Sequence, residues 1–288
     1  MERVAKVSVH GGHSGQFCNH ASDSLEDIVC TYIEEGFSWV GITEHAPAGF
    51  NEELMYADER EAGLTPEMLL DGFGKYMTEC RRLQEKYRSR IQLYAAMEIE
   101  TCSGYETFVP MLIERFSPDY IVGSVHFVND ICFDYSAKSY QRAAESVGGL
   151  DRLYLSYFDL QYDMIRRLKP AVVGHFDLIR IFDAHYAERL QQPEIMTSIR
   201  RNLELVKELD LILDFNLRAL AKGASEPYIS APILAMVREY EINIAPGDDS
   251  HGVANVGNYF DEAVSLLGQL QISTDWPQPS CLQPITGT

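Results

Sequence analysis

Residues 37–45 read FSWVGITEH, an apolar run that ends in Glu44 and His45. Such a run is typical of a buried strand in a parallel sheet. The carboxyl end of a parallel strand lies at the rim of a sheet or barrel, where active sites are built. The stretch therefore predicts a central strand that delivers His45 to a functional rim.

Six further stretches repeat this pattern, and a predicted helix separates each from the next. They are VAKVSVH (4–10), IQLYAAMEIE (91–100), DYIVGSVHF (119–127), AVVGH (171–175), LILDFN (211–216) and INIAPGDDSH (242–251). Strands that alternate with helices predict βαβ units and a parallel sheet. Polar residues end almost every strand, which favours a closed barrel over a doubly wound sheet with one switch point. We therefore expect an α/β fold, a TIM-like barrel of seven strands.

The segments between the strands predict one continuous domain. Helices are expected from about Pro66 to Tyr87 and from about Leu153 to Leu168, and the polar residues 46–65 predict a long loop over the rim. The length of 288 residues suits a single barrel. We expect one barrel domain over residues 1–274 and a loose tail, rich in Pro, Ser and Thr, over residues 275–288.

Charge and hydropathy exclude several classes of protein. The formal net charge of -19 argues against nucleic acid as a partner, because phosphates require basic patches. The apolar runs are far shorter than the roughly 20 residues of a membrane span, and the N-terminus predicts no signal peptide. The six cysteines form no C-x-x-C pair, which is typical of reduced thiols. We expect a cytoplasmic protein, of open oligomeric state, that binds neither nucleic acid nor membrane.

Seven of the eight histidines lie at the predicted strand ends or in the loops just beyond them. They are His10, His13, His20, His45, His126, His175 and His251. Any one of them has the alternative interpretation of a hydrogen-bonded core histidine. Imidazole is the commonest side-chain metal ligand, and seven such residues at one rim favour a metal-dependent active site.

Carboxylates accompany these histidines. Asp249 and His251 are two residues apart in GDDSH, so on a strand both side chains point the same way and form a candidate ligand pair. Glu98 and Glu100, in the EIE of residues 98–100, lie on one face, and a carboxylate there could bridge two metals. Cys18 lies between His13 and His20 and could approach a metal, but the favoured interpretation is a small buried thiol.

Together these motifs resemble the polymerase-and-histidinol-phosphatase (PHP) superfamily. The resemblance rests on VHGGHSGQFCNHA, GITEH, MEIE, GSVHF, GHFD and GDDSH, which follow the order of the family's motifs over about residues 5–260. GSVHF with the following FDYS, and GHFDLIR, are similar to the histidinol-phosphatase branch. The resemblance implies a distorted (β/α)7 barrel, in agreement with the strand count.

The resemblance also implies two or three divalent metal ions. The first position would use His10, His13, Glu98 and Asp249; the second Glu98, His126 and His175; the third His20, His45 and His251. Neutral imidazoles with few carboxylates favour Zn, Fe or Mn over Mg. One departure concerns the opening motif, because the family has His-x-His and this chain has His10-Gly-Gly-His13. Either Gly11 and Gly12 let the backbone bend so that both histidines bind metal, or one of the two histidines is not a ligand.

The implied activity is hydrolysis of a phosphate monoester by a metal-dependent phosphatase, with L-histidinol phosphate of histidine biosynthesis as the expected substrate. Glu98, Asp249 and His251 are the expected catalytic residues. Substrate contacts are predicted for Arg180, Arg218 and Asn216, because a guanidinium pairs well with phosphate. Two alternatives stay open: a PHP phosphoesterase for another phosphorylated small molecule or nucleotide, and a metal-stabilised module without activity.

Overall fold

The computed structural model describes residues 4–47 and 49–282. Its strands are β1 (Lys6–Ser8), β2 (Phe37–Ile42), β3 (Gln92–Ala95), β4 (Met97–Ile99), β5 (Ile121–Gly123), β6 (Phe127–Val128), β7 (Ile131–Cys132), β8 (Val172–Val173), β9 (Ile212–Asn216) and β10 (Asn243–Gly247). Its α-helices are α1 (Leu25–Glu34), α2 (Ala57–Glu61), α3 (Pro66–Tyr87), α4 (Tyr105–Phe116), α5 (Ala137–Val147), α6 (Leu150–Leu168), α7 (Tyr186–Arg189), α8 (Pro193–Glu208), α9 (Arg218–Ala221), α10 (Ala231–Glu239) and α11 (Phe260–Gln269).

The parallel strands form two sheets, with the orders β1-β2-β3 and β10-β9-β8-β5-β4. β3 and β4 are the two halves of one predicted strand, interrupted at Ala96, whose N–H donates to the Ile42 carbonyl (2.8 Å). On the opposite side, the Val9 N–H donates to the Pro246 carbonyl (2.9 Å). Because hydrogen bonds join the two sheets on both sides, the fold is the predicted α/β, distorted TIM-like (β/α)7 barrel.

The antiparallel hairpin β6–β7 is an element that the sequence analysis did not predict. Its strands pair Phe127 with Cys132, and its turn residues Asn129 and Asp130 have φ of 51° and 57°. Two consecutive left-handed residues of this kind are typical of a tight hairpin turn. The hairpin follows His126 directly and carries the chain across the rim before α5 begins.

Helix α3 illustrates how the barrel is covered. Its bounds are those predicted, because the Thr65 side chain accepts the Met68 N–H (3.3 Å) and Pro66 occupies the first turn, where no N–H is required. Phe73 and Met77 on one face are buried in the core. Burial of this apolar face, more than helix propensity, stabilises such a helix.

The described part of the predicted tail packs on the amino ends of the strands. The Trp276 indole N–H donates to the Ala5 carbonyl (2.8 Å), and the Leu282 N–H to the Asp119 carbonyl (2.7 Å). A loose tail was expected, but residues 275–282 make these contacts and the Trp276 ring is buried. Residues 283–288 lie outside the described part. The division into a domain at 1–274 and a tail stays a prediction. In the described ranges, no helix has the length and apolar character needed to cross a membrane.

Candidate metal centre

Glu98, the middle residue of β4, lies at the centre of the rim and is 1% exposed. Its Oε1 lies 3.0 Å from His175 Nε2 and 3.6 Å from His126 Nε2. Its Oε2 lies 3.1 Å from His45 Nδ1 and 3.3 Å from His10 Nε2. Four predicted ligands from distant parts of the sequence therefore surround the one carboxylate predicted to bridge.

His13, Asp249 and His251 extend this cluster on one side. His13 Nε2 lies 3.4 Å from Asp249 Oδ1 and 3.8 Å from Glu98 Oε2. The rings of His13 and His251 have centroids 4.6 Å apart. His251 Nδ1 is 2.9 Å from the Asp249 carbonyl oxygen, which can only accept, so Nδ1 carries the proton and Nε2 presents its lone pair.

His20 lies at the outer edge of the cluster. Its Nδ1 is 3.2 Å from Asp58 Oδ2 and its Nε2 is 3.3 Å from Cys18 Sγ. Ligand atoms of Cys18, His20 and His45 lie within 4.8 Å of one another. Those of His13, His45 and His251 do so as well. The predicted third position, with His20, His45 and His251, is thus divided between two groups that share His45, and the Cys18 thiol lies among candidate ligands.

Unpartnered nitrogen atoms test whether this cluster fits metal ions. The buried atoms His10 Nε2, His13 Nε2 and His45 Nδ1 have no hydrogen-bond partner among the described residues, and all three lie near Glu98 Oε2. A buried polar atom without a partner costs roughly 1–3 kcal/mol. A cation between these nitrogens and the carboxylate would satisfy all of them, so the donor set fits divalent metals with nitrogen and oxygen ligands.

Carboxylates hold the other ring nitrogen of three candidate ligands. The pairs are His10 Nδ1 with Asp214 (2.9 Å), His13 Nδ1 with Glu44 (3.1 Å) and His126 Nδ1 with Glu100 (2.7 Å). Such outer partners orient metal-binding imidazoles and raise their basicity. The sequence analysis missed Asp214, although a carboxylate inside the buried run LILDFN needs a partner and was therefore a signal.

The cluster carries a large excess of buried negative charge. Its buried carboxylates are Glu44, Glu98, Glu100, Asp214 and Asp249, and no Lys or Arg of the described chain forms an ion pair with them. Burial raises the pKa of Glu98, but the charges of His10 and His45 outweigh it and hold that pKa well below its usual range. Burial and the neighbouring His13 hold the pKa of His251 well below its usual range, so its imidazole is neutral. Burial lowers the pKa of His10 and His45, but Glu98 and the other nearby carboxylates outweigh it and hold both pKa values well above their usual range, so metal binding would release protons from these two imidazoles.

The end of β10 separates two adjacent aspartates. Asp248 accepts hydrogen bonds from Ser8 Oγ (2.7 Å) and Tyr32 Oη (2.8 Å), on the side away from the metal cluster. Asp249 has a φ of 44°, the left-handed region that Asp tolerates better than most residues, and it faces His13. The two adjacent side chains therefore point to opposite sides of the strand end.

His10 and His13 converge despite the two glycines between them, with ring centroids 6.0 Å apart. A Cβ on Gly11 would collide with the Gly41 carbonyl oxygen, and a Cβ on Gly12 would collide with the Ile28 side chain. Neither glycine has a positive φ. Glycine is required here for close approach to neighbouring elements, and the left-handed bend that glycine permits is not used.

A cavity of about 370 Å³ opens from the cluster to the surface. This volume suits a small metabolite. Besides candidate metal ligands, its lining includes Tyr56, Asp58, Cys132, Asp134, Tyr135, Leu178, Arg218, Lys222 and Tyr228. The cavity is therefore walled by the loop after β2, the hairpin β6–β7 and its continuation, and helix α9.

Helix α9 and the residue that follows it contribute two cations to the cavity. Arg218 Nε is buried and has no hydrogen-bond partner in the part of the chain that the structure describes, while its Nη1 donates to Asn255 Oδ1 (3.2 Å). Neither Arg218 nor Lys222 forms an ion pair within the described chain. The sequence analysis predicted Arg218 and missed Lys222, whose signal was its position four residues further along a helical turn.

Arg180 is not brought to the cavity. Its Nη2 donates to the carbonyls of Glu226 (2.9 Å) and Pro227 (2.7 Å), and its guanidinium lies 4.8 Å from the ring centroids of Tyr186 and Tyr228. The predicted phosphate contact of Arg180 is therefore not supported, because its guanidinium N–H groups donate to backbone carbonyls of the segment that carries Tyr228.

Asn216 forms hydrogen bonds with neighbouring side chains of the protein. Its Nδ2 donates to Asp214 Oδ2 (2.9 Å) and Asp249 Oδ2 (3.2 Å), and its Oδ1 accepts the Arg218 N–H (3.0 Å). It is fully buried and does not line the cavity. Its contacts orient two carboxylates, in place of the substrate contact predicted.

Tyr56 is a site residue that the sequence analysis missed, because it lies in the irregular loop 46–65. This loop contains a short 3-10 helix, Glu52–Leu54, and helix α2. The Tyr56 hydroxyl donates to Glu100 Oε1 and lies 3.3 Å from His126 Nδ1. The loop therefore lies over the rim, as predicted, and closes one side of the cavity.

Comparison with known proteins identifies the family. The family model described as "PHP domain" matches residues 11–218, and the chain belongs to this family. The match ends before Asp249 and His251 and begins one residue after His10, so these three ligand candidates rest on the geometry. The resemblance predicted from the motifs is confirmed.

Relatives and solved structures agree with this assignment. A "Probable histidinol-phosphatase" of Schizosaccharomyces pombe is 35% identical over 272 residues, with 93% of this chain and 88% of the relative covered. A "putative histidinol phosphatase" of Listeria monocytogenes has a TM-score of 0.77 and 26% identity, over 89% of this chain and 99% of that one. The histidinol phosphate phosphatase of Lactococcus lactis, solved with Zn, L-histidinol and phosphate, has a TM-score of 0.70, 16% identity and 97% coverage of both chains; it supports the fold.

Proposed function

We propose that this chain is a metal-dependent phosphomonoesterase that hydrolyses L-histidinol phosphate to L-histidinol and phosphate, in histidine biosynthesis. One observation carries the chemistry: buried imidazole nitrogens and carboxylates lie at a cavity that Arg218 and Lys222 also line, and among the described residues neither cation has a carboxylate partner. The name of the Schizosaccharomyces pombe relative, of similar length, supports the substrate.

Each predicted ligand has a proposed role. His10, His13, Glu98 and Asp249 would hold one ion, and Glu98, His126 and His175 a second, with Glu98 between them. His45 and His251 would hold a third, with His13 or with Cys18 and His20 completing it. Two or three ions of Zn, Fe or Mn are proposed, and when bound they would lower the pKa of water and neutralise phosphoryl oxygens.

The remaining residues would bind and orient the substrate. Arg218 and Lys222 would hold the phosphate in the cavity, since charge-assisted hydrogen bonds to phosphate are strong. Tyr56 and the loop 46–65 would exclude bulk water from one side, which strengthens electrostatic contacts at the site. Asp214, Glu44 and Glu100 would fix the imidazoles. A cytoplasmic location stays a prediction.

A substrate panel with metal analysis tests this function. Purified protein should contain divalent metal, lose activity with a chelator and regain it with Zn, Mn or Fe. Among phosphomonoesters, nucleotides and phosphodiesters at equal concentration, histidinol phosphate should give the highest kcat/KM. Better turnover of another substrate would support the PHP phosphoesterase alternative, and no hydrolysis by the metal-loaded protein would support a module without activity.

A further inference from the structure

The cavity has two differently charged walls outside the metal cluster. Arg218 and Lys222 lie on the wall formed by α9, and the other wall carries the carboxylates Asp58 and Asp134. Asp58 is already engaged by His20 Nδ1 (3.2 Å). The only side-chain donor to Asp134 among the described residues is the Cys132 thiol (3.2 Å). Asp134 is therefore a half-buried anion with acceptor capacity to spare.

The structure holds Asp134 in a fixed place beside the cluster. The N–H of Phe133 donates to the carbonyl of the candidate ligand His126 (3.0 Å), and the Phe133 side chain is fully buried. Two residues after Asp134, Ser136 caps helix α5 by accepting the Ser139 N–H (3.1 Å). Because both flanks are fixed, the carboxylate is presented to the cavity with little conformational freedom to lose on binding.

The neighbours of Asp134 suit an aromatic cation. Tyr135 and Tyr228 line the same cavity, and Tyr135 is exposed while Tyr228 is buried. Aromatic faces and a carboxylate together favour a ligand that has both a flat ring and a protonated amine. A ligand that contacts Asp134 as well as Arg218 and Lys222 would carry both an ammonium and a phosphate.

We infer that Asp134 is a specificity-determining residue that pairs with the ammonium group of the substrate, while Arg218 and Lys222 take the phosphate. This inference rests on the proposed function and deepens it, because it assigns the class of substrate as amino-bearing phosphomonoesters. The Asp134 carboxylate disfavours phosphoesters that carry no positive charge to pair with it, such as sugar phosphates and nucleotides.

The test compares two substrates on the metal-loaded full chain. One is L-histidinol phosphate, and the other is its des-amino analogue, which keeps the imidazole and the phosphate. Asp134→Asn should lower kcat/KM for histidinol phosphate by about tenfold or more, mainly through KM, because a charged hydrogen bond is lost. Turnover of the des-amino analogue should change by less than about threefold. Asp134→Glu should restore part of the preference.

Glu145→Gln, on the exposed face of α5, is the matched control for loss of one negative charge and should leave both substrates unchanged. An equal loss on both substrates, or no loss on either, would overturn the role of Asp134 while leaving the proposed function standing. If the wild-type protein hydrolyses other phosphoesters but not histidinol phosphate, the proposed function fails, and the assignment of Asp134 falls with it.

Discussion

The two ends of the barrel treat buried polar groups in opposite ways. At the carboxyl ends of the strands, His10, His13 and His45 each keep a buried ring nitrogen that has no hydrogen-bond partner within residues 4–47 and 49–282. Near the amino ends of β4 and β5, Asp119 accepts hydrogen bonds from Arg81 (2.6 Å), Gln84 (2.8 Å) and the Ala95 N–H (2.7 Å). The Asp119 carboxylate at the amino end finds all these hydrogen-bond donors within the protein. The ring nitrogens at the carboxyl end would find partners in a bound metal ion.

We therefore expect the amino ends of the strands to contribute to the stability of the fold and the carboxyl ends to the binding of metal and substrate. The hydrogen bonds of Asp119 hold α3 and β3 to the start of β5, and the segment 275–282 packs over them. The unsatisfied carboxyl ends are the part from which metal and substrate would gain free energy on binding. Substitutions at the two ends should therefore change different measured quantities.

Glu98→Gln should have the largest effect, a loss of about a thousandfold in kcat with the fold retained. The substitution removes the charge that four imidazoles surround, while the amide keeps the size of the side chain. Turnover of histidinol phosphate and bound metal would be measured together with circular dichroism. Wild-type kcat in this variant would refute the central role of Glu98.

Arg218→Ala should raise KM for histidinol phosphate about tenfold to a hundredfold, because it removes a charged donor to phosphate. Arg180→Ala is the informative partner, since Arg180 binds backbone carbonyls away from the cavity. It should lower the free energy of unfolding and change KM much less. Steady-state kinetics and urea unfolding on both variants distinguish these outcomes; a KM increase for Arg180→Ala alone would reverse the two assignments.

Asp119→Asn should act on the opposite end of the barrel and spare catalysis. Loss of the charged acceptor should lower the free energy of unfolding by about 1–2 kcal/mol, because the site is partly exposed. Urea unfolding measures this change, and kcat/KM at 25 °C should match the wild-type value. A specific loss of kcat/KM without loss of stability would show that the two ends are not separable.

Glu26→Gln should have the smallest effect, a few tenths of a kcal/mol at pH 7. Hydrogen bonds from Lys86, Tyr87 and Arg82 lower the pKa of Glu26 from 4.5 to about 2. A lowered pKa stabilises the fold above the unfolded pKa, and this contribution is lost as the pH falls from about 4.5 towards 2. Urea unfolding at pH 7, 4.5 and 3 should show the difference between variant and wild type shrinking at the lowest pH. A constant difference would mean that ionisation is not its cause.

The strand ends and most of the metal cluster could be predicted because each ligand follows a short apolar run. His45, His126 and His175 needed only this local pattern and the geometry of parallel strands. Tyr56 and Lys222 had no such pattern, because a loop and a short helix place them by tertiary packing. Arg180 shows the reverse error: its position five residues after His175 was suggestive, but its donors bind carbonyls of a segment nearly fifty residues away.

The contact of Gly11 with β2 has a consequence for anyone who wishes to alter the metal preference of this protein. The Gly11 N–H bonds the Gly41 carbonyl (2.9 Å), and the backbone there has no room for a side chain. The separation of His10 and His13 is thus set by the register of two strands. A different metal-binding residue at either position would keep this spacing. A change in the spacing would require a different pairing between β1 and β2.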